Sequence, residues 1–150
     1  MAIPLPHTIT DPPDGEAVQA NFDALKKAHP YSRKDLKIED PHKVGDPNEP
    51  AFQNSWVNFD TATFHGARFW KDPTGMVHLE GLVKNGAAAP STIFTLPAGY
   101  RPSNGHMFAV VTGNPALGRV DVAATGNVVW QGGGTNVLLT LSGITFRQEQ

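Results

Sequence analysis

The chain has 150 residues, of which 39% are hydrophobic, and its formal net charge is -2. This length supplies one hydrophobic core of ordinary size, and the slight negative charge argues against a nucleic-acid partner, because phosphate binding needs clustered Lys and Arg. Cysteine is absent, which excludes a disulfide framework and a thiolate metal site.

The first residues, Met1-Ala2-Ile3-Pro4-Leu5-Pro6, lack the basic region and the long apolar run of a signal peptide. No later segment reaches the roughly 18 apolar residues that a membrane span requires. We therefore expect neither export through a signal peptide nor insertion into a membrane.

The composition changes near residue 50. Residues 1–50 hold 8 of the 13 prolines and 9 of the 14 acidic residues, whereas residues 51–150 hold 13 of the 15 glycines and most of the alternating β-branched and aromatic residues. This contrast predicts an N-terminal arm over residues 1–50 and an all-β head over residues 51–150.

Within the predicted arm, a short helix is expected over about residues 15–28. Asp14 can cap its first turn, Glu16 favours the positive end of the helix dipole, and Pro30 stops the helix. Residues 28–50 are polar and interrupted by proline, so we expect an extended linker there, because such a segment buries too little apolar surface to offset its ordering entropy.

Three apolar residues of the predicted helix share one face, since Val18, Phe22 and Leu25 are spaced at i, i+4 and i+7. A helix of under four turns is marginal alone in water, so this stripe must dock on something. Two alternatives remain open: the stripe packs against its own chain, or it meets copies of itself or another protein.

From residue 56 onward the apolar period is two, which predicts nine short strands. They are expected over residues 56–59, 67–71, 76–84, 91–96, 106–112, 117–123, 128–131, 136–141 and 144–147. The run Asp72-Pro73-Thr74-Gly75 predicts a turn before the third strand, and Asn85-Gly86 predicts a tight turn after it. This many short strands favour a β-sandwich or a barrel.

The sequence offers little catalytic chemistry. The predicted head holds five acidic residues, among which only Glu80 and Asp121 offer a pair for glycoside hydrolysis, and nothing in the sequence places them at the required separation. The six histidines lack metal-binding spacing. We therefore expect a protein that is not an enzyme and that holds no cofactor and no metal.

Three blocks in the predicted head carry a family resemblance. They read VHLEGLVKNG at residues 77–86, IFTLPAGYRP at residues 93–102 and LTLSGITFR at residues 139–147. In this order they resemble the C-terminal head domain of tailed-bacteriophage tail fibres and receptor-binding proteins. The resemblance covers about residues 56–147.

This resemblance implies a jelly-roll-like β-sandwich, a homotrimer, and a virion protein that is made in the host cytoplasm. It implies a short tail fibre, spike or tail-tip subunit whose head adheres to the host surface and whose arm docks on other virion proteins. The alternative is a purely architectural virion subunit, such as a head fibre, decoration or tail-tip scaffold protein, without receptor binding.

If the head binds a host-surface glycan or protein, aromatic rings and loop amides are the suitable groups. The candidates are Trp70, His106, Trp130, Asn104, Asn114 and Asn136. The competing interpretation is that such aromatic residues belong to the core or to a trimer interface. In the resembling family, the residues at Tyr100 and Arg101 stabilise a corner of the chain, so we expect a structural role for both.

Overall fold

The computed structural model describes residues 15–28 and 37–149. The chain divides into two compact units, one ending at Lys37 and the other beginning at Ile38. We call the second unit the β domain. Asp14 and Pro30, the residues expected to bound the helix, lie outside the described residues, as do residues 31–36 of the expected linker.

The described part of the first unit is a single helix, α1, over Gly15–Ala28. Glu16 lies in its first turn, and Gln19 donates a hydrogen bond of 3.0 Å to Asp23 four residues later. The apolar stripe faces solvent, because Phe22 and Leu25 are each 56% exposed and Val18 is 37% exposed. The helix thus presents an apolar face.

The β domain contains two antiparallel sheets. The four-stranded sheet has the order β1-β3-β4-β11, with β1 at His42–Lys43, β3 at Arg68–Lys71, β4 at Met76–Glu80 and β11 at Ile144–Arg147. The seven-stranded sheet has the order β2-β5-β10-β7-β8-β9-β6, with β2 at Val57–Asn58, β5 at Leu82–Lys84, β6 at Ser91–Thr95, β7 at His106–Thr112, β8 at Ala116–Val122, β9 at Asn127–Gly132 and β10 at Leu139–Thr140.

The inward faces of both sheets form one apolar core. Strand residues alternate between buried and partly exposed positions, as in β4, where Val77 and Leu79 are buried between more exposed neighbours. Phe69 and Phe94 stack in this core with ring centroids 6.3 Å apart. The prediction of an all-β sandwich is therefore confirmed.

The seven-stranded sheet curls until its two edges approach each other. The backbone N–H of Gln53, shortly before β2, donates to the carbonyl of Ile93 in β6 at 2.9 Å, and the Asn54 side chain donates to the Thr92 carbonyl at 2.9 Å. The indole N–H of Trp56 donates to the Ser91 hydroxyl at 2.9 Å. These bonds link opposite edges and give the sheet the shape of a half-barrel.

The strand predicted over residues 76–84 is in fact two strands in different sheets. It breaks at Gly81, whose φ of 114° is in the left-handed region. A Cβ at this position would lie 2.2 Å from the Gly66 carbonyl oxygen. Gly81 therefore turns the chain from β4 in the four-stranded sheet into β5 in the seven-stranded sheet, as strands do at sandwich corners.

The expected linker over residues 28–50 and the expected boundary at residue 51 need correction, because the β domain begins at Ile38. Val44 is 2% exposed and belongs to the core, and His42 stacks on Phe69 with ring centroids 5.1 Å apart. Glu39 accepts a hydrogen bond of 3.0 Å from the Tyr100 hydroxyl. The entropy lost when this segment becomes ordered is offset by these few contacts and by the pairing of β1 with β3.

Two smaller predictions were also wrong. The tight turn predicted at Asn85-Gly86 is absent: both residues belong to a longer loop, residues 85–90, that joins β5 to β6, and these strands are not neighbours in the sheet. The strand predicted over residues 136–141 is reduced to β10, because Asn136 turns away and donates its amide to the Gly86 carbonyl at 2.5 Å.

Candidate functional site

A concave surface among the described residues lies where the chain crosses between the sheets. Both β4–β5 and β10–β11 make this crossing side by side. The cavity has a volume of about 460 Å³, and we call it the corner groove. Its lining residues are Thr61, Ala62, Thr63, Phe64, His65, Glu80, Gly81, Leu82 and Ser142.

One wall of the corner groove is the loop of residues 60–66, which is held at both ends. Leu82 accepts a backbone hydrogen bond from Phe59 at 2.9 Å and donates one to His65 at 3.1 Å. Asp60 accepts from the Ala62 N–H at 3.0 Å, and its hydrogen bonds with Thr63 and Ala62 lower its pKa. The loop is therefore a fixed structure that presents its outer side chains.

The loop presents an aromatic ring to the groove. Phe64 is 47% exposed, and its ring lies 6.2 Å from that of Phe59, which supports it from below. The neighbouring side chain of His65 is also exposed. A half-exposed ring on a fixed loop provides an apolar surface for a ligand.

The lining also includes a carboxylate, Glu80, whose charge is paired with Arg68 outside the groove. Arg68 donates to Glu80 Oε2 through Nε at 2.8 Å and through Nη2 at 2.6 Å, and these residues are direct cross-strand partners in β3 and β4. Nearby, the Ser142 hydroxyl accepts a hydrogen bond of 3.2 Å from the Gly81 N–H. This side of the groove thus offers a carboxylate and a hydroxyl group, and the charge of the carboxylate is balanced by Arg68.

Beside this pair, the outer face of the four-stranded sheet carries a second aromatic surface. Trp70 and His78 are cross-strand partners with stacked rings, 5.3 Å apart and 15° from parallel, and the Arg68 guanidinium lies 5.8 Å from the Trp70 ring centre. We call these three residues the Trp70 platform. It is connected to the corner groove through Glu80, a lining residue that is the cross-strand partner of Arg68.

Asp72 fixes the platform in place. Its carboxylate lies 3.0 Å from His78 Nε2 and accepts hydrogen bonds from the Thr74 hydroxyl at 2.7 Å and the Met76 N–H at 3.1 Å. The pKa of the Asp72 carboxyl is held well below its usual range, mainly by the hydrogen bond from the Thr74 hydroxyl and next by the one from the His78 ring. The predicted turn at residues 72–75 therefore also orients the platform histidine.

A smaller cavity of about 230 Å³ lies on the other side of the loop. Lys43, Asp46 and Arg68 border it, and Phe64 and His65 line both this cavity and the corner groove. The smaller cavity is the more polar of the two.

This arrangement suits binding by shape and hydrogen bonds. In the described part of the chain, no group of three or more His, Asp or Glu side chains is placed to hold a metal ion. Glu80 and Asp121 belong to different sheets, and each is engaged by an arginine, Arg68 and Arg119 respectively. Among residues 15–28 and 37–149, no helix is long and apolar enough to cross a membrane.

Of the predicted receptor residues, Trp70 lies beside the groove, and three others lie elsewhere on the surface. Asn104 and His106 are exposed where the chain enters β7, and Asn114 is exposed in the β7–β8 hairpin with φ of 58°. The His106 ring stacks on Phe146 with centroids 5.9 Å apart. The candidates do not form one site.

Trp130 and Asn136 have structural positions. Trp130 is 6% exposed and packs edge-on against Trp56 with ring centroids 5.8 Å apart. The Asn136 carbonyl accepts from the Asn85 N–H at 2.8 Å, in addition to the bond from its amide to Gly86. Burial of the Trp130 ring and engagement of the Asn136 amide leave both residues little to offer a ligand, so we omit them from the proposed binding surface.

Tyr100 and Arg101 brace the corner that precedes β7. Arg101 Nε donates to the Leu96 carbonyl at 2.8 Å. The Tyr100 hydroxyl lies 3.0 Å from both Glu39 and His42 Nε2, so it ties the corner to the first strand of the domain.

Four residues at or beside the groove were not predicted from the sequence as site residues: Phe64, His65, Arg68 and Ser142. The signal that points to Phe64 is its position in a polar run, Asp60 to His65, between two predicted strands, where an apolar ring has no core to enter. The Arg68–Glu80 pair required the strand register, which the sequence does not give.

No family model and no curated protein matches the sequence. Among solved structures, the chain is similar to the receptor binding protein gp15 of Listeria phage PSA. The two are 18% identical, with a TM-score of 0.64 over 93% of this chain and 82% of that chain. The chain therefore has the fold of a phage receptor-binding protein, and the resemblance seen in the three sequence blocks is confirmed for the fold.

Proposed function

We propose that this protein is a subunit of a bacteriophage particle whose β domain adheres to the host surface. The observation that carries the proposal is the fold shared with a receptor binding protein over 93% of the chain. The corner groove and the Trp70 platform supply a preorganised binding surface, which is what recognition requires.

The finer proposal is a short tail fibre, spike or tail-tip subunit that acts as a homotrimer and binds its receptor without catalysis or a cofactor. The β domain corresponds to the head of such a protein, and α1 docks on another virion protein. Synthesis takes place in the host cytoplasm before assembly into the virion. The exposed apolar stripe of α1 supports the docking role, because assembly would cover it.

A second candidate is a purely architectural virion subunit. It is favoured by the outer face of the seven-stranded sheet, where Met107 is 64% exposed, Val111 is 49% exposed and Leu117 is 74% exposed. Val111 and Leu117 are direct cross-strand partners, so they form a continuous apolar surface. Such a surface suits contact with another subunit of the particle, which an architectural role requires.

Cell binding separates the two candidates. Fluorescent full-length protein is incubated with intact bacteria from a panel that begins with Listeria, the host genus of the phage that carries the similar gp15. We expect saturable binding to the strains that the parent phage infects, and we expect an excess of the unlabelled protein to reduce phage adsorption to them.

The contrary result is particle loss without adhesion. If the protein binds none of the infected strains, while phage lacking it yield no stable particles, the architectural role replaces the adhesive one. A heat-unfolded sample serves as the control for nonspecific attachment to cells.

A further inference from the structure

We infer that Asn104 is a modification site, at which the chain itself and water convert the side-chain amide into a carboxylate. The chain contains two Asn-Gly sequences, Asn85-Gly86 and Asn104-Gly105. The fold permits the reaction at Asn104 and blocks it at Asn85. The reaction uses no second protein and no cofactor, so it does not depend on the proposed adhesive function.

The chemistry needs only the loop before β7 and one water molecule. The Gly105 backbone nitrogen loses its proton and forms a bond to Cγ of Asn104, the bond from Cγ to Nδ2 breaks, and ammonia leaves. Water then opens the resulting cyclic imide at one of its carbonyl groups. Opening at the side-chain carbonyl gives aspartate, and opening at the main-chain carbonyl gives isoaspartate. A glycine favours the attack because it has no Cβ to restrict the approach.

The surroundings of Asn104 leave both reacting groups free. Residues 103–105 are exposed just before β7. The Asn104 amide lies 3.5 Å from the Ser103 hydroxyl, a long contact, and the Gly105 N–H has no hydrogen-bond partner among the described residues. Even a Cβ on Gly105 would meet only the Val122 carbonyl oxygen, at 3.8 Å. The nitrogen can therefore approach the side chain at little cost.

The same reaction is blocked at Asn85, because hydrogen bonds and packing fix the peptide group that would have to rotate. The Asn85 N–H donates to the Asn136 carbonyl at 2.8 Å, and the Asn136 amide donates to the Gly86 carbonyl at 2.5 Å. Gly86 is buried, and a Cβ on it would lie 1.8 Å from the Trp56 ring. Asn85 therefore reacts only after this part of the fold opens locally.

A third asparagine, Asn114, separates exposure from chemistry. It is exposed in the β7–β8 hairpin, as Asn104 is before β7. The next residue is Pro115, whose nitrogen carries no proton and already has its third carbon in the ring. This nitrogen cannot form the cyclic imide, so Asn114 shows the background rate of an exposed asparagine.

The new carboxylate at position 104 lies near an existing one. Ser103, the preceding residue, donates its hydroxyl to the Glu149 carboxylate, and this bond is the main cause of the lowered pKa of Glu149. A second negative charge repels the first, and isoaspartate also lengthens the main chain by a methylene group. We therefore expect the modification to weaken the contact between Ser103 and Glu149.

The test follows folded full-length protein over time at neutral and at mildly alkaline pH. Peptide mapping by mass spectrometry detects the replacement of NH₂ by OH at each asparagine. We expect conversion at Asn104 to be at least about tenfold faster than at Asn85 or Asn114, because Asn85 must first open. The rate should rise with pH, since the attacking nitrogen must lose its proton. Urea-unfolded protein is the control, and there Asn85 should react as fast as Asn104.

Gly105→Ala is the matched variant, because its added methyl group has space in the fold. It should slow conversion at Asn104 by about tenfold and leave Asn85 unchanged, while a thermal melt verifies that the variant is folded. An unmodified Asn104 in the folded protein, or the same rate in Gly105→Ala, would overturn the assignment of the site. Equal rates at Asn104 and Asn85 in the folded protein, or an Asn85 that stays slow in urea, would overturn the protective role of the fold.

Discussion

Gly86 lies against the buried ring of Trp56, at a place where a side chain does not fit. A Cβ on Gly86 would lie 1.8 Å from Trp56 Cε2, and the ring is fixed because its N–H is bonded to Ser91. The φ of Asn85 is 64°, whereas Gly86 is not among the positive-φ residues. The two residues of this motif thus serve different purposes: Asn85 permits the left-handed backbone, and Gly86 permits close packing.

We predict that Gly86→Ala destabilises the β domain by about 3 kcal/mol, because the added methyl group must displace a ring that is only 1% exposed. Urea denaturation of the full-length protein measures the change. Gly105→Ala is the matched control, since its Cβ would meet only the Val122 carbonyl oxygen at 3.8 Å, and we expect it to change stability by less than about 0.5 kcal/mol. Equal effects of the two substitutions would contradict this account of the packing.

The first strand of the β domain is held by a small polar cluster around Tyr100. The pKa of Tyr100 is raised to about 12. Burial of the hydroxyl is the largest cause, and the hydrogen bond to Glu39 and the negative charges of Glu39 and Glu49 add to it. Because the folded pKa lies above the unfolded value of about 10, the cluster stabilises the fold fully below pH 10. That stability is lost as the pH rises from about 10 towards 12.

We therefore predict that removal of residues 37–50 lowers the pH at which Tyr100 ionises. The chain has two tyrosines, and a protein beginning at Lys37 lacks Tyr31, so tyrosinate absorbance reports Tyr100 alone. The protein beginning at Lys37 should titrate near pH 12, and one beginning at Ala51 should titrate closer to 10 and melt at a lower temperature, since Phe69 loses the ring of His42 above it. Identical titrations would show that Glu39 and Glu49 do not act on Tyr100.

The same region shows what the sequence could and could not predict. Period-two patterns predicted the long strands β7 and β8 well, because buried positions alternate along β8 and along the second half of β7. They failed for β1, because a two-residue strand has no period and Val44 is a single buried apolar residue in a polar run. They also missed the break at Gly81, because the apolar alternation continues across it.

The candidate site was harder to predict because it is made of tertiary contacts. Trp70 was predicted as a binding residue because it is aromatic. Its stacking on His78 and the Arg68–Glu80 pair could not be predicted, because they depend on the register between β3 and β4. Phe64 depends on a loop whose conformation is set by Leu82, about 20 residues away in the chain. Periodicity carries no information about either.

At the scale of the whole molecule, the β domain leaves one apolar face uncovered. Met107, Val111 and Leu117 lie on the outer face of β7 and β8, where Arg119 and Asp121 form an exposed ion pair at 2.7 Å. A face that carries both apolar residues and a balanced pair of charges can meet a copy of itself without charge repulsion. This face is therefore our candidate for the homotrimer contact, whereas the corner groove lies where the two sheets meet.

We predict that a protein beginning at Lys37 remains a trimer without α1, with a light-scattering mass about three times that of its single chain. Leu117→Lys should convert it to a monomer, because a charge in the centre of an apolar contact is costly to desolvate. Since Leu117 is 74% exposed in the single chain, the substitution should leave the monomer folded, which a thermal melt verifies. Thr125→Lys, an exposed position in the β8–β9 turn, adds the same charge away from this face and should leave the trimer intact. A monomeric protein without α1 that becomes a trimer only with residues 1–36 present would assign assembly to the Val18, Phe22 and Leu25 stripe instead, and would free the outer face of the seven-stranded sheet for a different partner in the particle.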